Sequence, residues 1–171
     1  YKFENLEYDI FFALSHGQHR GALKKGYIDE RVDFIKKIKD QEIKTNFFGI
    51  DKQPVWGNDF FKNLSLSKMG LNYNRGGAIK YYSSDRICSL ISNGLLTFLQ
   101  TNYSYEDFFE NKKEAIYYTT YDEVIEGIKK YSKDYKLRSE IAFNGKKRYF
   151  QLFENNLVTK YMMDKIFDKK I

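Results

Sequence analysis

Apolar residues in this chain occur either in short continuous runs or at intervals of three to four positions. Each continuous run is bounded by glycine or polar residues. Strands of a parallel sheet are covered on both faces, so they are apolar throughout and do not alternate with polar residues. The continuous runs therefore predict buried strands at residues 9–15 and 95–99, and residues 42–49, 69–74 and 115–119 are predicted as three further strands.

The segments between these runs have the residue spacing of amphipathic helices. Their apolar positions are Val32, Ile35 and Ile38; Phe60, Phe61, Leu64 and Leu66; Ile79, Tyr82, Ile87, Leu90 and Ile91; Val124, Ile125 and Ile128; and, toward the C-terminus, Leu137, Ile141, Tyr149, Phe153, Leu157, Tyr161 and Met162. Residues that commonly begin or end helices stand at several of the predicted boundaries, namely Asn58, Ser83 or Ser84, Thr120 or Asp122, and Gly94 after Asn93.

Strands that alternate with helices along a chain pair in parallel, because each helix carries the chain back across one face of the sheet. We therefore predict a single α/β domain over residues 1–171. It is a Rossmann-like parallel sheet of about five strands flanked by helices, with a helical C-terminal end. Such sheets bind ligands beyond the carboxyl ends of their strands. The loops at that end are residues 15–28, 51–58, 74–85 and 101–107.

The 171 residues carry a formal net charge of +6. A basic protein can bind nucleic acid, an anionic membrane or a phosphorylated small molecule. The lysines are scattered, however, and acidic residues lie close to each small cluster, which is typical of solvated helix faces. We therefore expect no nucleic-acid partner, and strongly salt-dependent DNA binding would contradict this expectation. The basic surface is compatible with loose association with an anionic membrane.

Cys88 is the single cysteine and falls within an apolar pattern. One cysteine can form neither an intrachain disulfide nor a cysteine metal site, which indicates a reducing, cytoplasmic compartment. The sequence has no signal-peptide pattern and no run of about 18 apolar residues. It begins at Tyr1 without a methionine, so we expect a fragment or a processed product of a larger protein.

The loop after the first predicted strand combines glycines with basic side chains. Arg20, Lys25 and Gly26 belong to it. Glycine lets the backbone approach a ligand, and arginine and lysine offer positive charge to a diphosphate. The same composition is typical of an ordinary solvated loop, and both interpretations stay open. His16 and His19 have no carboxylate or cysteine nearby, so we expect no metal site.

The loop that leads into the third predicted helix holds hydroxyl, carboxylate and guanidinium groups together with glycines: Arg75, Gly76, Gly77, Ser83, Ser84, Asp85 and Arg86. A helix that begins near Ser83 or Ser84 points its free N–H groups and the positive end of its dipole out of the strand ends, which is typical of an anion site. Arg86 lies in the first turn, where positive charge is unfavourable unless an anionic ligand binds. The alternative is that these residues cap the helix and that Arg86 pairs with Asp85 or another surface carboxylate.

Signatures of other functional classes are absent from the sequence. The chain contains no Walker A loop, no G-x-G-x-x-G, no H-E-x-x-H and no recognisable catalytic triad. As a free-standing enzyme it therefore lacks obvious catalytic machinery. A response-regulator-like receiver domain would need an acidic cluster and a phosphorylatable aspartate at a strand end, and the predicted strand ends have no such cluster.

Two segments resemble the C-terminal, donor-binding domain of GT-B-fold glycosyltransferases, in particular the spore-coat glycosyltransferase-like group of the group 1 glycosyl transferases. Residues 86–94, followed by the apolar run from Leu95, are similar to the family pattern R-x-F-E-x-x-x-x-G before a strand. Residues 137–145 are similar to its L-R-x-x-I-A-x-x-G helix. The resemblance is strongest over residues 72–167.

The resemblance implies one half of a GT-B fold, which binds the nucleotide diphosphate of an activated sugar for transfer to an unknown acceptor. The nucleotide-sugar would be the donor substrate, with no further cofactor. The acceptor site and the general base would come from an N-terminal domain that this chain lacks, so the chain alone would be inactive. Many relatives of this kind act on cell-envelope polysaccharide from the cytoplasm or the inner face of the membrane.

The family also carries an Arg and a Lys-Gly after the first strand, where they bind the donor diphosphate. Arg20, five residues before Lys25, has that spacing. The residues expected to bind the donor are therefore Arg20, Lys25, Gly26, Gly76, Gly77, Ser83, Ser84, Asp85, Arg86 and Ser89. If Arg86 serves the donor in this way, Arg86→Ala would weaken nucleotide binding and leave the melting temperature nearly unchanged.

Ser89 departs from the family pattern. The family often has a glutamate here that hydrogen-bonds to the donor ribose. A serine hydroxyl cannot form the charge-assisted hydrogen bond that a carboxylate forms. A catalytically inactive nucleotide-sugar-binding or interaction module of the same fold is therefore the alternative function.

Overall fold

The structure, a computed structural model, describes residues 6–15 and 31–167. Its strands form one sheet in the order β2-β1-β3-β4-β5, and all neighbouring strands are parallel. The strands are β1 (Tyr8–Ala13), β2 (Thr45–Phe48), β3 (Ser67–Asn72), β4 (Leu96–Gln100) and β5 (Ile116–Tyr118). The predicted α/β fold with a five-stranded parallel sheet is confirmed.

Helices cover both faces of the sheet and form the C-terminal end of the described chain. They are α1 (Arg31–Lys39), α2 (Gly57–Ser65), α3 (Asp85–Ser92), α4 (Tyr121–Lys133), α5 (Tyr135–Phe153) and α6 (Asn155–Ile166), with a 3₁₀ turn at Tyr105–Asp107. None of these helices is long and apolar enough to span a bilayer.

The side chains of β1 explain why its sequence is continuously apolar over residues 10–13. Ile10 and Phe12 face α1 and α4, where they pack in the largest core cluster. Phe11 and Ala13 face the opposite layer, where they pack with Leu64 of α2 and with α3. A strand buried on both faces cannot alternate with polar residues, so the continuous run is the signature of its central position.

Local sequence signals set several helix ends. Thr120 begins α4 with a capping box, in which its hydroxyl accepts from the Glu123 N–H and the Glu123 carboxylate accepts from the Thr120 N–H. Gly94 ends α3 in the left-handed conformation, and the N–H of Leu95 donates to the carbonyl of Leu90. The predictions for Thr120 and Gly94 are confirmed.

The start of α2 differs from the prediction. The helix begins at Gly57, and its N-cap residue is Trp56, which has no side-chain capping bond. Asn58 is therefore inside the first turn and is not the cap. Leu66, predicted as a helical apolar position, is the C-cap residue instead.

The strand order places a topological switch point between β1 and β3. From β1 the chain passes to β2 on one side, and then to β3 on the other side of β1. The connection from β1 to β2 and the connection from β3 to β4 leave the carboxyl ends of neighbouring strands in opposite directions, so the loops there diverge and leave a crevice. Any ligand site of this fold is expected at that crevice.

Candidate functional site

A cleft of about 520 Å³ lies at the switch point. We call it the β1–β3 cleft, because Ala13, Leu14 and Ser15 at the end of β1 and Asn74 and Arg75 after β3 form its floor and one wall. The start of α3 and the start of α2 form the other walls. This is a common size for a small-molecule site, and it lies where doubly wound sheets bind ligands.

The N-terminus of α3 opens into this cleft. Ser84 is the N-cap residue and has extended backbone angles, but its side chain makes no capping bond. Its hydroxyl instead donates to Oδ1 of Asn72 at 3.1 Å. The prediction that a serine hydroxyl caps this helix is therefore wrong for Ser84. The positive end of the helix dipole faces the cleft without a side-chain cap.

Arg86 joins the ends of two strands. Its guanidinium donates to the carbonyl of Ala13 at 3.2 Å, to the carbonyl of Tyr73 at 3.1 Å and to Oδ1 of Asn72 at 3.4 Å. It also lies over the ring of Phe12, with its central carbon 4.8 Å from the ring centroid. Arg86 therefore holds the carboxyl ends of β1 and β3 together while it lines the cleft.

These contacts bear on two expectations for Arg86. The alternative interpretation placed Arg86 in a surface pair with Asp85 or another carboxylate, and the structure adds three hydrogen bonds to amide oxygens at the carboxyl ends of β1 and β3. The expectation that Arg86→Ala would leave the melting temperature nearly unchanged no longer holds, because the side chain has structural partners.

Asn72 accepts hydrogen bonds from Ser84, Arg86 and Tyr118. No sequence motif indicated this residue. The residue is fully buried, and its Oδ1 accepts from both Ser84 and Arg86. Its carbonyl accepts from the hydroxyl of Tyr118 at 2.8 Å, and burial raises the pKa of that hydroxyl well above its ordinary value, so it stays a donor. A polar residue directly after the apolar segment 69–71, at the last position of the strand, was the available signal.

The remaining predicted residues divide into three groups. Ser83, Asp85 and the half-buried Ser89 line the β1–β3 cleft. Gly76 and Gly77 are exposed on the β3–α3 loop and do not belong to the cleft lining. Arg20, Lys25 and Gly26 lie outside the described residues, as do His16 and His19.

Arginine is more abundant in the cleft than the sequence motifs indicate. Arg31 of α1 lines it together with Arg75 and Arg86. Within residues 6–15 and 31–167, no group of three or more His, Cys, Asp or Glu side chains is placed to hold a metal ion. The described part of the cleft therefore offers cations, hydroxyls and a helix N-terminus to an anionic ligand.

A hydroxyl on the neighbouring β4–β5 loop holds both ends of the β3–α3 loop. Tyr105 accepts from Nδ2 of Asn74 at 2.8 Å and donates to the carbonyl of Tyr82. Burial raises the pKa of Tyr105 to about 12, so the hydroxyl remains protonated at neutral pH. These contacts place the residues just before α3, and Tyr105 is a second residue of the site that no sequence motif singled out.

Tyr81 also attaches the β3–α3 loop to the β4–β5 loop. Its N–H donates to the carbonyl of Tyr103 at 2.8 Å, and its hydroxyl donates to Asp107 at 2.6 Å. Tyr103 itself stacks on Tyr105, with the two rings 7° from parallel. Tyr81 thus adds a second attachment near the C-terminal end of the β3–α3 loop. Gly76 and Gly77 lie in the loop between Asn74 and Tyr81, the residues at which it is held.

We expect Tyr105→Phe to lower the free energy of unfolding by about 1–3 kcal/mol. The substitution keeps the ring but leaves the buried Nδ2 of Asn74 without its acceptor and the carbonyl of Tyr82 without its donor. Urea denaturation measures the change. Tyr135→Phe is the matched control, since Tyr135 is 60% exposed. Equal stabilities of the two variants would contradict the role assigned to the Tyr105 hydroxyl.

The side of the cleft formed at the entry to α2 is rich in aromatic residues. Val55, Trp56, Gly57, Phe60 and Phe61 form it, where the chain enters α2. Phe60 packs edge-on against Phe11 of the sheet, with ring centroids 5.2 Å apart. The cleft therefore has one cationic and hydroxyl-rich side and one aromatic side.

Residues 31–164 match the protein family described as glycosyl transferase-like, which is well over half of the chain. The chain belongs to this glycosyl transferase-like family. The match includes every described wall of the β1–β3 cleft except the residues at the end of β1. The family resemblance expected from residues 86–94 and 137–145 is confirmed. No curated protein matches the sequence significantly.

The glycosyl transferase-like chain is also similar in fold to solved structures. One is the crystal structure of Anabaena Alr3699/HepE in complex with UDP, with a TM-score of 0.63, 12% identity and 93% of this chain covered. Another is Anabaena Alr3699/HepE in complex with UDP-glucose, with a TM-score of 0.60, 12% identity and again 93% of this chain covered. The chain spans only 40% and 48% of those two chains.

Proposed function

We propose that this chain is the donor-binding domain of a glycosyltransferase and that the β1–β3 cleft binds the diphosphate of a nucleotide-sugar. The observation that carries the proposal is the α3 N-terminus, which opens without a side-chain cap into a cleft lined by Arg31, Arg75 and Arg86. Backbone N–H groups, a helix dipole and arginines are the groups that proteins use to bind phosphate. The nucleotide complexes of the Anabaena structures support the same ligand class.

The hydrogen bonds of the two serines assign them different roles. Ser84 has one hydroxyl hydrogen, and Asn72 accepts it in this structure. Ser83 is exposed and lines the cleft, so its hydroxyl can donate directly to a phosphate oxygen. We therefore assign phosphate binding to Ser83 and the α3 backbone, and positioning of the α3 N-terminus to Ser84. Arg20, Lys25 and Gly26 remain candidates for the same diphosphate on the family resemblance alone.

The negative charge that develops on the leaving diphosphate explains how such a site would increase the rate of glycosyl transfer. In glycosyl transfer the bond between the anomeric carbon and the diphosphate oxygen breaks, and negative charge grows on the leaving diphosphate. Donors held in place before the reaction stabilise that charge more in the transition state than in the ground state. Arg86 is held by three oxygens at the carboxyl ends of β1 and β3, which makes it a preorganised cation at this position.

Ser89 supports the second candidate function, an inactive nucleotide-sugar-binding or interaction module. It lines the cleft one helical turn after Arg86, on the same face of α3. A serine there can bond a ribose hydroxyl but cannot supply a charge-assisted acceptor. Ser89→Glu separates the two candidates: tighter donor binding by this variant would indicate that the natural site has lost ribose affinity.

The rest of the enzyme is part of the proposal. The chain spans less than half of the Anabaena chains, so a further domain would supply the acceptor site and the general base. On the family resemblance we place the acceptor in the cell-envelope polysaccharide class. The same proposal places the protein in the cytoplasm or at the periphery of the membrane.

Calorimetric titration of the chain with UDP, UDP-glucose and inorganic phosphate tests the proposed function. We expect both nucleotides to bind more tightly than phosphate. Ser83→Ala should weaken nucleotide binding by about tenfold, the loss of one hydrogen bond to a charged group. Ser65→Ala, an exposed serine at the end of α2, is the matched control and should change nothing. No preference for nucleoside diphosphates over phosphate would end the donor-binding proposal.

A further inference from the structure

A second cavity, of about 290 Å³, lies at the opposite edge of the sheet from the β1–β3 cleft. Its lining includes Leu6 before β1, Lys68 at the start of β3 and Gly94 before β4. These residues mark the amino ends of three neighbouring parallel strands, so we call it the amino-end cavity. Strands of five or six residues span about 17–20 Å, and this length separates the amino-end cavity from the proposed diphosphate site.

One face of α5 forms a wall of the amino-end cavity. The α5 residues that line it recur at the spacing of a single helix face: Tyr135, Arg138, Ser139, Ala142, Phe143 and Lys146. Residues on such a face are normally covered, but Phe143 is 66% exposed and Tyr135 is 60% exposed. The cavity has room for roughly ten non-hydrogen atoms, if each takes about the 30 Å³ of a water molecule.

Arg138 is the buried cation of the cavity lining, with 6% of its surface exposed. Its Nη1 donates to the carbonyls of Tyr131 at 2.7 Å and Ser132 at 3.4 Å. Among the described residues, neither its Nε nor its Nη2 has a hydrogen-bond acceptor, and no carboxylate is paired with the guanidinium. Nε and Nη2 form one edge of the planar guanidinium, and that edge matches the two oxygens of a carboxylate.

The charges of the cavity lining favour an anionic ligand. Lys68 and Lys146 line the cavity together with Arg138, and no aspartate or glutamate belongs to the lining that the structure describes. Asp9 compensates Lys68, because its carboxylate lies 2.7 Å from the lysine Nζ. Burial lowers the pKa of Arg138, since the guanidinium is removed from water. A buried charge is costly unless it is paired, so an anionic ligand would reduce that cost.

We propose that the amino-end cavity binds a small amphipathic carboxylate. The two carboxylate oxygens accept from Nε and Nη2 of Arg138, and the apolar body of the ligand packs against Ala142 and the exposed ring of Phe143. A neutral molecule would leave the guanidinium edge without an acceptor, and a cation would be repelled by it. This inference goes beyond the proposed function and does not depend on it, because the two cavities share no lining residue.

Calorimetric titration of the chain with three matched probes tests the inference. Octanoate is a carboxylate of the size that the cavity admits, octanol has the same alkyl chain without the charge, and octylammonium carries the opposite charge. We expect octanoate to bind at a single site, octanol to bind at least about tenfold more weakly and octylammonium not to bind. Octanol that binds as tightly as octanoate would overturn the carboxylate assignment, and so would an absence of octanoate binding.

Ser139→Leu tests the location of the site. A leucine at this position fills the cavity, and the serine hydroxyl makes none of the hydrogen bonds found within the described residues. We expect octanoate affinity to fall by at least about tenfold, with an unchanged melting temperature. Gln151→Leu adds the same side chain at an exposed position of α5 outside the cavity and is the matched control. Octanoate affinity that Ser139→Leu leaves unchanged would contradict the proposed location.

Arg138→Lys tests the guanidinium edge. The variant keeps the positive charge and loses the planar pair of donors, so we expect octanoate to bind about tenfold more weakly. Circular dichroism checks that the variant is folded, because Arg138 also holds two backbone carbonyls. A folded Arg138→Lys variant with full octanoate affinity would overturn the assigned contact. Ser139→Leu decides the inference if Arg138→Lys does not fold.

Octanoate titration in the presence of UDP separates this inference from the proposed function. We expect the same octanoate affinity with and without UDP, because the two cavities lie at opposite edges of the sheet. Octanoate that UDP displaces from the wild type and from Ser139→Leu alike would belong to the β1–β3 cleft, which overturns the inference and leaves the donor site standing. A chain that binds octanoate but not UDP would overturn the proposed function alone.

Discussion

Gly145→Ala is expected to destabilise the protein by about 3 kcal/mol. A β-carbon at Gly145 of α5 would overlap the carbonyl oxygen of Glu114 and lie 3.2 Å from its carbonyl carbon. These are backbone atoms, so no side-chain rotation can relieve the overlap. Glu114 also belongs to a hydrogen-bonded turn before β5, in which its N–H donates to the carbonyl of Glu110 at 2.9 Å. Either α5 or this turn must shift.

The expected loss of stability is opposite to the usual effect, because alanine normally stabilises a helix relative to glycine by about 1 kcal/mol. Urea denaturation of Gly145→Ala and the wild type measures the difference. Gly77→Ala is the matched control: no atom lies within 4 Å of the position that its β-carbon would take, so we expect little change or a small gain. A Gly145→Ala variant as stable as the wild type would contradict the close approach of α5 to Glu114.

Arg86→Ala is expected to weaken nucleotide binding by at least about tenfold and to destabilise the fold by about 2–4 kcal/mol. The loss of stability arises because the carbonyls of Ala13 and Tyr73 and the amide oxygen of Asn72 each lose a charged donor. The loss of binding arises because the same guanidinium lines the cleft. Thermal denaturation and calorimetry on the same variant measure both effects.

Two further variants distinguish the contributions of Arg86. Arg86→Lys keeps the positive charge, but a single ammonium cannot match the planar fork that reaches both strands, so stability should fall more than affinity. Arg75→Ala removes an exposed cleft arginine and should reduce affinity with a change in stability below about 1 kcal/mol. An unchanged melting temperature for Arg86→Ala would show that its strand contacts contribute nothing to folding.

The helix motif around residues 137–145 illustrates how a sequence pattern reports packing. Ile141 and Ala142 are buried against the core, and Arg138 is buried with its guanidinium donating to the carbonyl of Tyr131 at 2.7 Å. Gly145 provides the close approach to Glu114. Each of these positions of the motif thus has a packing reason, so this segment indicates the fold and says nothing about the ligand.

The architecture could be predicted from the amino-acid sequence because the relevant signals are local. Continuous apolar runs identify strands buried on both faces, and helical spacing identifies the elements that cover them. Gly94 and Thr120 set helix ends through conformations and hydrogen bonds made within a few residues. The prediction for Asn58 was wrong for a comparable reason: capping signals are short, and the chain entered α2 earlier than that signal indicated.

The roles of the groups at the start of α3 could be assigned only once the packed sheet was known. Arg86 reaches the carbonyl of Ala13 across 73 positions, and Asn74 reaches Tyr105 across 31. The sequence showed a polar helix start but not which strand ends or loops lie beside it. The sequence also gave no indication that Trp56, in another loop, lines the same cleft. Strand order brings these segments to one cleft, and strand order depends on the packing of the whole sheet, which no local pattern contains.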